Sequence, residues 1–395
     1  MKKRRSGSWT PGIQRATTTA VFAICIWTNV SAQIDVGLID KADSLLKKGD
    51  FEGVLSIGVL LSESENPLIK GGGFQMMGQA YGYLEKDSLA LVNFHKAERL
   101  LKNDSYLLGA KAQFFLEKYE LDSALNNSVK ALKYLTAYND SLHISGLLFY
   151  SGFALKLKER YKEAEQVLLQ SLKFDTTDWK TYHQLGHVYL YTKEYQKSLI
   201  YCDSARAKGG NDVRLEFVRA ASLYLTGNVE RGIEIADSIR SDPSVAISAN
   251  LLLGEIYMSL DRATAALGYF EESLKIAPDD VAALNNIAFA NMSLKNYREA
   301  IVYFDKCIKV DPNFAFAYNN KASCLFNLGL HQEALRNCDK SLQLDPENSW
   351  AYANRAKIYF ALGMSSMACS DVERAESLNY PEAEELAELK KKCGK

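Results

Sequence analysis

What this 395-residue chain lacks narrows its function before any motif is found. It has no Gly-rich phosphate loop, no Gly-x-Ser-x-Gly nucleophile elbow and no paired carboxylates in a setting suited to acid–base work. An enzyme is therefore not expected, and no cofactor is implied. Beyond one short apolar run near the start, no segment approaches the ~20 apolar residues that cross a bilayer. Cysteine is sparse, at seven residues, with no CxxC pair and no regular ligand spacing. Neither a metal site nor a disulfide framework is expected from that pattern, and the cysteines read as small core hydrophobes. A basic excess is missing too, since the formal net charge is −1. Nucleic acid needs a basic stripe to neutralise phosphates, so it is not a predicted partner.

What the chain does have is a unit of 34 residues, clearest between Ala282 and Leu378. Three copies contain Leu284, Ala288, Tyr297, Ala300, Phe304 and Pro312; then Tyr318, Ala322, His331, Ala334, Cys338 and Pro346; then Tyr352, Ala356, Ala368, Val372 and Ala375. A fixed period of this size marks a stacked repeat architecture. Within a copy, Leu284, Ile287, Ala288 and then Ile301, Phe304, Ile308 follow helical spacing. Leu294-Lys295-Asn296-Tyr297 and Leu328-Gly329-Leu330-His331 break each copy into two helices, and Pro312 and Pro346 end the second. Two helices joined by so short a turn approach closely only where bulk is removed at their crossing, which accounts for the repeated alanines.

These residues resemble the tetratricopeptide repeat family, and that register extends backwards through the chain. Units begin near Asp35, Gly71, Ser105, Ser145, Trp179, Val213, Ile247 and Val281. The eighth position reads Ala42, Gly78, Ala112, Gly152, Gly186, Ala220, Gly254, Ala288, Ala322, Ala356, and the twentieth is almost as uniformly small. The resemblance implies an all-α fold: a right-handed superhelical solenoid of about ten helix-turn-helix units. Degenerate units fill 35–138 and a regular array 145–380, with the loop from Thr136 to Ser141 the expected hinge. The acidic start and basic end of 382–392 suit a capping helix.

Residues 1–32 stand outside the array. Met1-Lys2-Lys3-Arg4-Arg5, the apolar run Ala20 to Trp27 and Val30-Ser31-Ala32 have the layout of a secretory signal peptide cleaved after Ala32. Removing its five basic residues and no acid takes the formal net charge to −6. The expected location is the bacterial periplasm or exterior. The alternative is a basic tail on a cytoplasmic protein, and retaining six thiols in an oxidising compartment counts against export. Asp43-Ser44-Leu45, Asp87-Ser88-Leu89, Asp122-Ser123-Ala124 and Asp237-Ser238-Ile239 resemble short O-glycosylation acceptors, although Asp-Ser is also ordinary at helix starts.

In this family the first helix of each unit lines a concave groove through its second, fifth, sixth, ninth and thirteenth positions. That places Asn286, Asn320 and Asn354 in register on the wall, with Asn285 and Asn319 beside them. Asparagine competes with the backbone for hydrogen bonds and is a poor helix-interior residue, so its recurrence needs a reason. A primary amide matches the C=O and N–H of a peptide together. The row resembles the asparagine ladders of O-linked N-acetylglucosamine transferases and armadillo importins. Phe289, Phe316, Trp350 and Lys357 complete the expected peptide groove, the aromatics as side-chain pockets or as packing against the preceding unit. A second, basic patch is expected at Lys180, His183, Gln184, His187 and Arg214, suited to an acidic stretch of a partner. His183 and His187 share a helix face, but no Glu follows His183 and no third ligand is suggested, so no metal is expected. The expected function is a non-enzymatic scaffold that binds an extended segment of another protein. An accessory subunit of an outer-membrane complex and a glycan-binding protein stacking sugars on Trp350 are the alternatives.

Overall fold

A computed structural model of the chain describes residues 31–136 and 140–394. They form twenty-one α-helices, with no strand among the described residues. The expected signal peptide lies outside them except for Ser31 and Ala32, with which the first helix begins. The chain divides into two compact units, 1–226 and 227–395. The expected hinge therefore lies inside the first unit, and residues 137–139 are outside the description.

The first unit contains α1 (Ser31–Lys48), α2 (Phe51–Ser62), α3 (Pro67–Tyr83), α4 (Asp87–Leu100), α5 (Ser105–Glu117), α6 (Leu121–Lys133), α7 (Ser141–Leu157), α8 (Tyr161–Phe174), α9 (Trp179–Tyr191), α10 (Tyr195–Ala207) and α11 (Val213–Leu225). The second contains α12 (Val229–Ile239), α13 (Ala246–Ser259), α14 (Ala263–Ile276), α15 (Val281–Ser293), α16 (Tyr297–Val310), α17 (Ala315–Asn327), α18 (His331–Leu344), α19 (Ser349–Ala361), α20 (Ser365–Ser377) and α21 (Ala383–Lys392). In both, an odd-numbered helix packs on the even-numbered helix after it, and from α3 to α11 and from α13 to α21 successive odd-numbered helices also touch one another. Those first helices form the inner wall of each unit, as a helical-repeat solenoid requires. Helix α21 starts 34 residues after α19 and packs where the first helix of another pair would.

The small eighth residue is where each pair closes. A Cβ on Gly152 would stand 2.6 Å from Leu168, one on Gly186 2.7 Å from the Cys202 sulfur, and one on Gly254 2.2 Å from Phe270. The large partner is always the twenty-fourth residue, and Leu168, Cys202 and Phe270 are all buried. Where the eighth residue is Ala288, Phe304 still fits and both are fully buried.

Local sequence explains the helix ends. Asp104, Asp140, Asp178, Asp212 and Asp280 each cap a first helix by accepting a hydrogen bond from a backbone N–H two or three residues on. Helices α3 and α7 start at Pro67 and Ser141, four residues before the family register, because Asn66 and Asp140 supply caps there and the chain gains one more turn. The turn into the second helix needs a left-handed residue. Gly49, Gly227, Gly329 and Gly363 provide it in four pairs, whereas Glu85, Tyr119, Glu159, Lys193, Asp261 and Lys295 adopt φ between 58° and 64° in six. Charged ties join neighbouring pairs: Arg219 reaches Asp203 at 2.7 Å, Lys321 reaches Asp305 at 2.5 Å and Arg355 reaches Asp339 at 2.7 Å, each across 16 residues.

Two substitutions test this packing with opposite signs. Gly254→Ala drives its methyl into Phe270 and should destabilise the protein by about 1–3 kcal/mol. Exposed Glu159→Gly removes a left-handed penalty and should stabilise it by about 1 kcal/mol. Urea unfolding followed by circular dichroism reads both.

Candidate functional site

In the second unit the inner wall carries the asparagines in two bonded groups, one on α15 and one spanning α17 and α19. Asn286 of α15 hydrogen-bonds Glu255 of α13, whose carboxyl is raised by burial and partly restored by that bond. The Asn285 amide donates to Asn286 and the Asn319 amide to Asn320, both at 3.4 Å, and Asn354 donates to Asn319 at 2.9 Å. The row is not saturated. Asn285 Oδ1 is buried without a hydrogen-bond partner, and Asn320 accepts from Asn319 through its Oδ1. Amides with spare capacity on a helix face are what a peptide backbone can complete.

The aromatic residues divide. Phe289 and Phe316 are 42% and 48% exposed, beside the amides, with Phe314 at 6.0 Å from Phe316. Trp350 is 40% exposed, but one edge packs against Tyr380 at 5.0 Å. Lys357 is engaged as well: its ammonium pairs with Glu385 of α21 at 2.6 Å and donates to Asn354 at 3.4 Å. Tyr380 donates to the same Glu385 oxygen at 2.7 Å. Lys357 and one side of Trp350, both expected to line the peptide groove, are thus engaged by the capping segment.

One cysteine expectation is overturned. Cys369 of α20 and Cys393, just past α21, form a disulfide with Cα atoms 5.6 Å apart. Sequence spacing concealed it because the pairing depends on where α21 docks. Cys202, Cys307, Cys324 and Cys338 are free and buried as expected, with burial pushing their thiols up to about 11 or 12. The four Asp-Ser triplets all lie within helices, in α1, α4, α6 and α12.

In the first unit the second patch is more buried than expected. His183 and Gln184 are buried, whereas Lys180, His187 and Arg214 are half-buried. Arg214 binds Asp212 through two nitrogens, at 2.9 and 2.5 Å. Both imidazoles are held well below the ordinary histidine range, chiefly by burial and then by the nearby Lys156, with His183 at about 3. Trp179 stacks parallel to His183 and Tyr191 on His187. Lys156 of α7 belongs to this cluster and was missed from sequence, where it reads as one more exposed lysine at a helix end. It is buried, with its ammonium 2.7 Å from Gln184 Oε1 and 4.5 Å from the Phe153 ring.

Further along the same wall a second network was also missed. Gln113 of α5 donates to the Tyr83 hydroxyl at 2.5 Å and to Glu117 at 3.2 Å, and accepts from Tyr150 at 3.1 Å. Burial raises the Glu117 carboxyl to about 7, against the opposing Gln113 bond and Lys118 charge. No group of three or more metal-ligating side chains occurs among the described residues, and no described helix is long and apolar enough to cross a membrane.

A raised carboxyl binds its proton more tightly in the folded state, so its effect on stability is unfavourable above the unfolded value and complete above pH 7. Wild-type protein should therefore lose stability between pH 4.5 and 7 relative to Glu117→Gln, by on the order of 2 kcal/mol. Parallel urea titrations at pH 5 and pH 8 measure the difference.

Comparison with known proteins places this geometry. Residues 247–280, 281–314, 315–348 and 337–370 match sequence families described as tetratricopeptide repeat. No curated protein matches the chain. Among solved structures, a tetratricopeptide repeat protein from Parabacteroides merdae ATCC 43184 is 21% identical, covering 64% of this chain and 99% of that one with a TM-score of 0.51. The Cut9-Hcn1 hetero-tetramer of the APC/C is 13% identical over 91% of this chain and 96% of that one, with a TM-score of 0.49. MamA is 19% identical over 42% and 96%, with a TM-score of 0.37.

Proposed function

This chain belongs to the tetratricopeptide repeat family, and on that premise we propose that it is a protein-interaction scaffold whose second unit grips an extended, largely uncharged segment of a partner. The observation that carries this reading is the incompletely bonded amide row Asn285–Asn286–Asn319–Asn320 beside exposed Phe289 and Phe316. The amides suit the main chain of a segment laid across α15 and α17, and the rings suit apolar side chains. Glu255, which borders the row, is tied to Asn286, and Lys357 is neutralised by Glu385. Neither of these charges is left to select an acidic or a basic segment.

We further propose that the protein acts in the bacterial cell envelope. The Cys369–Cys393 disulfide supports this reading, since such bonds persist in oxidising compartments. The basic and apolar layout of residues 1–32 supports it independently.

The test is affinity capture from envelope extract with the chain from Gln33 onwards, run beside Asn286→Ala/Asn320→Ala. The partner segment is then mapped by mass spectrometry and made as a synthetic peptide. The double substitution should weaken that peptide roughly tenfold or more and leave circular dichroism unchanged. Equal affinity for both proteins would remove the amide row from the binding site.

A further inference from the structure

The inner wall of the first unit holds a buried cation without a counter-charge. Lys156 is 7% exposed, and among the described residues it makes no ion pair. Its partners are the neutral Gln184 carboxamide and the Phe153 face. The charged groups around it come from every neighbouring first helix. Arg214 of α11 adds positive charge, while Asp212 is held by Arg214 and acts on His183, which also has a backbone hydrogen bond with Arg214. His183 and His187 of α9 feel the Lys156 charge directly. Glu117 of α5 and Asp178 act on Tyr150, elsewhere on α7. Two polar atoms of the cluster are buried with no hydrogen-bond partner, His183 Nε2 and His187 Nδ1. An uncompensated ammonium beside two unfilled imidazole nitrogens is costly in a folded protein unless something completes it. Lys180, His187 and Arg214 remain half-exposed, so the cluster is reachable from the inner surface.

We infer that Lys156, His183, Gln184 and His187 form an oxyanion-binding site that takes one carboxylate or phosphate group, anchored on the Lys156 ammonium. This site is separate from the amide row of the second unit. Its cation is supplied by the last turn of α7, with the two unfilled imidazole nitrogens beside it. Burial lowers the Lys156 ammonium to about 7, with Arg214 adding to the effect. An arriving anion favours the charged lysine, so binding below pH 7 meets it already protonated. Above pH 7 binding must take up a proton, and affinity falls towards tenfold per pH unit.

The experiment is isothermal titration calorimetry on the chain from Gln33 onwards at pH 6.5, 7.5 and 8.5. Three probes are used: inorganic phosphate, a Glu-Ala peptide blocked at both ends, and an alanine peptide with a free C-terminal carboxylate. The probe that binds identifies the source of the oxyanion. The expected result is binding of at least one probe at pH 6.5, weakening steeply above pH 7, with proton uptake seen as a buffer-dependent heat. Lys156→Met should abolish it and His183→Gln should weaken it several-fold. Thermal melts confirm that each variant folds, and His183→Gln serves if Lys156→Met does not. The proposal is overturned if no probe binds at millimolar concentration at pH 6.5, if affinity is independent of pH, or if folded Lys156→Met binds undiminished.

Discussion

The structure depends on one steric constraint: at the eighth residue of each first helix there is no room for bulk. Contact between that residue and the twenty-fourth brings the two helices of a pair together. Because the constraint recurs, the inner helices of successive pairs fall at similar positions and stack into a wall. Within each unit, the spacing of that wall is set by glycine or alanine meeting Leu168 or Cys202 in the first and Phe270 or Phe304 in the second. The serine and cysteine at the twenty-seventh residue support the same geometry. Ser145 and Ser171 bond at 2.9 Å, Ser273 reaches the Ile247 carbonyl at 3.2 Å, and Cys307 approaches the Val281 carbonyl at 3.8 Å.

This constraint also explains why so much of the fold was legible in the sequence. A position that must stay small announces itself at fixed intervals, and the helix pairs from Trp179 onwards start where the period puts them or one residue away. At Pro67 and Ser141 local capping outweighed the register, because Asn66 and Asp140 offered an earlier start; the first helix, from Ser31, also starts ahead of the expected Asp35. The six non-glycine left-handed turns show the reverse: there the pairing geometry overrules the residue's own preference.

The candidate site was legible only in part, for a different reason. Asn286, Asn320 and Asn354 stood out because they repeat, whereas Lys156, Gln113 and Glu117 each occur once and carry no period. What makes them unusual is burial, and burial depends on neighbours 30 or so residues away along the chain, as in the bonds from Gln113 to Tyr83 and from Lys156 to Gln184. Lys357 illustrates the same limit. Its place on the wall was readable, but its occupation by Glu385 depends on how α21 packs.

A stack of near-identical pairs has no knot or long-range sheet to hold its ends, so it unzips from whichever terminal pair is weakest. The Cys369–Cys393 bond changes that order for the second unit. It ties α21 back onto α20 while Leu389 and Tyr380 bury against the last pair. Peeling cannot proceed from that end while the bond is intact, so the unit's local openings are directed to its other pairs. A protease in the same compartment would meet an end that stays shut.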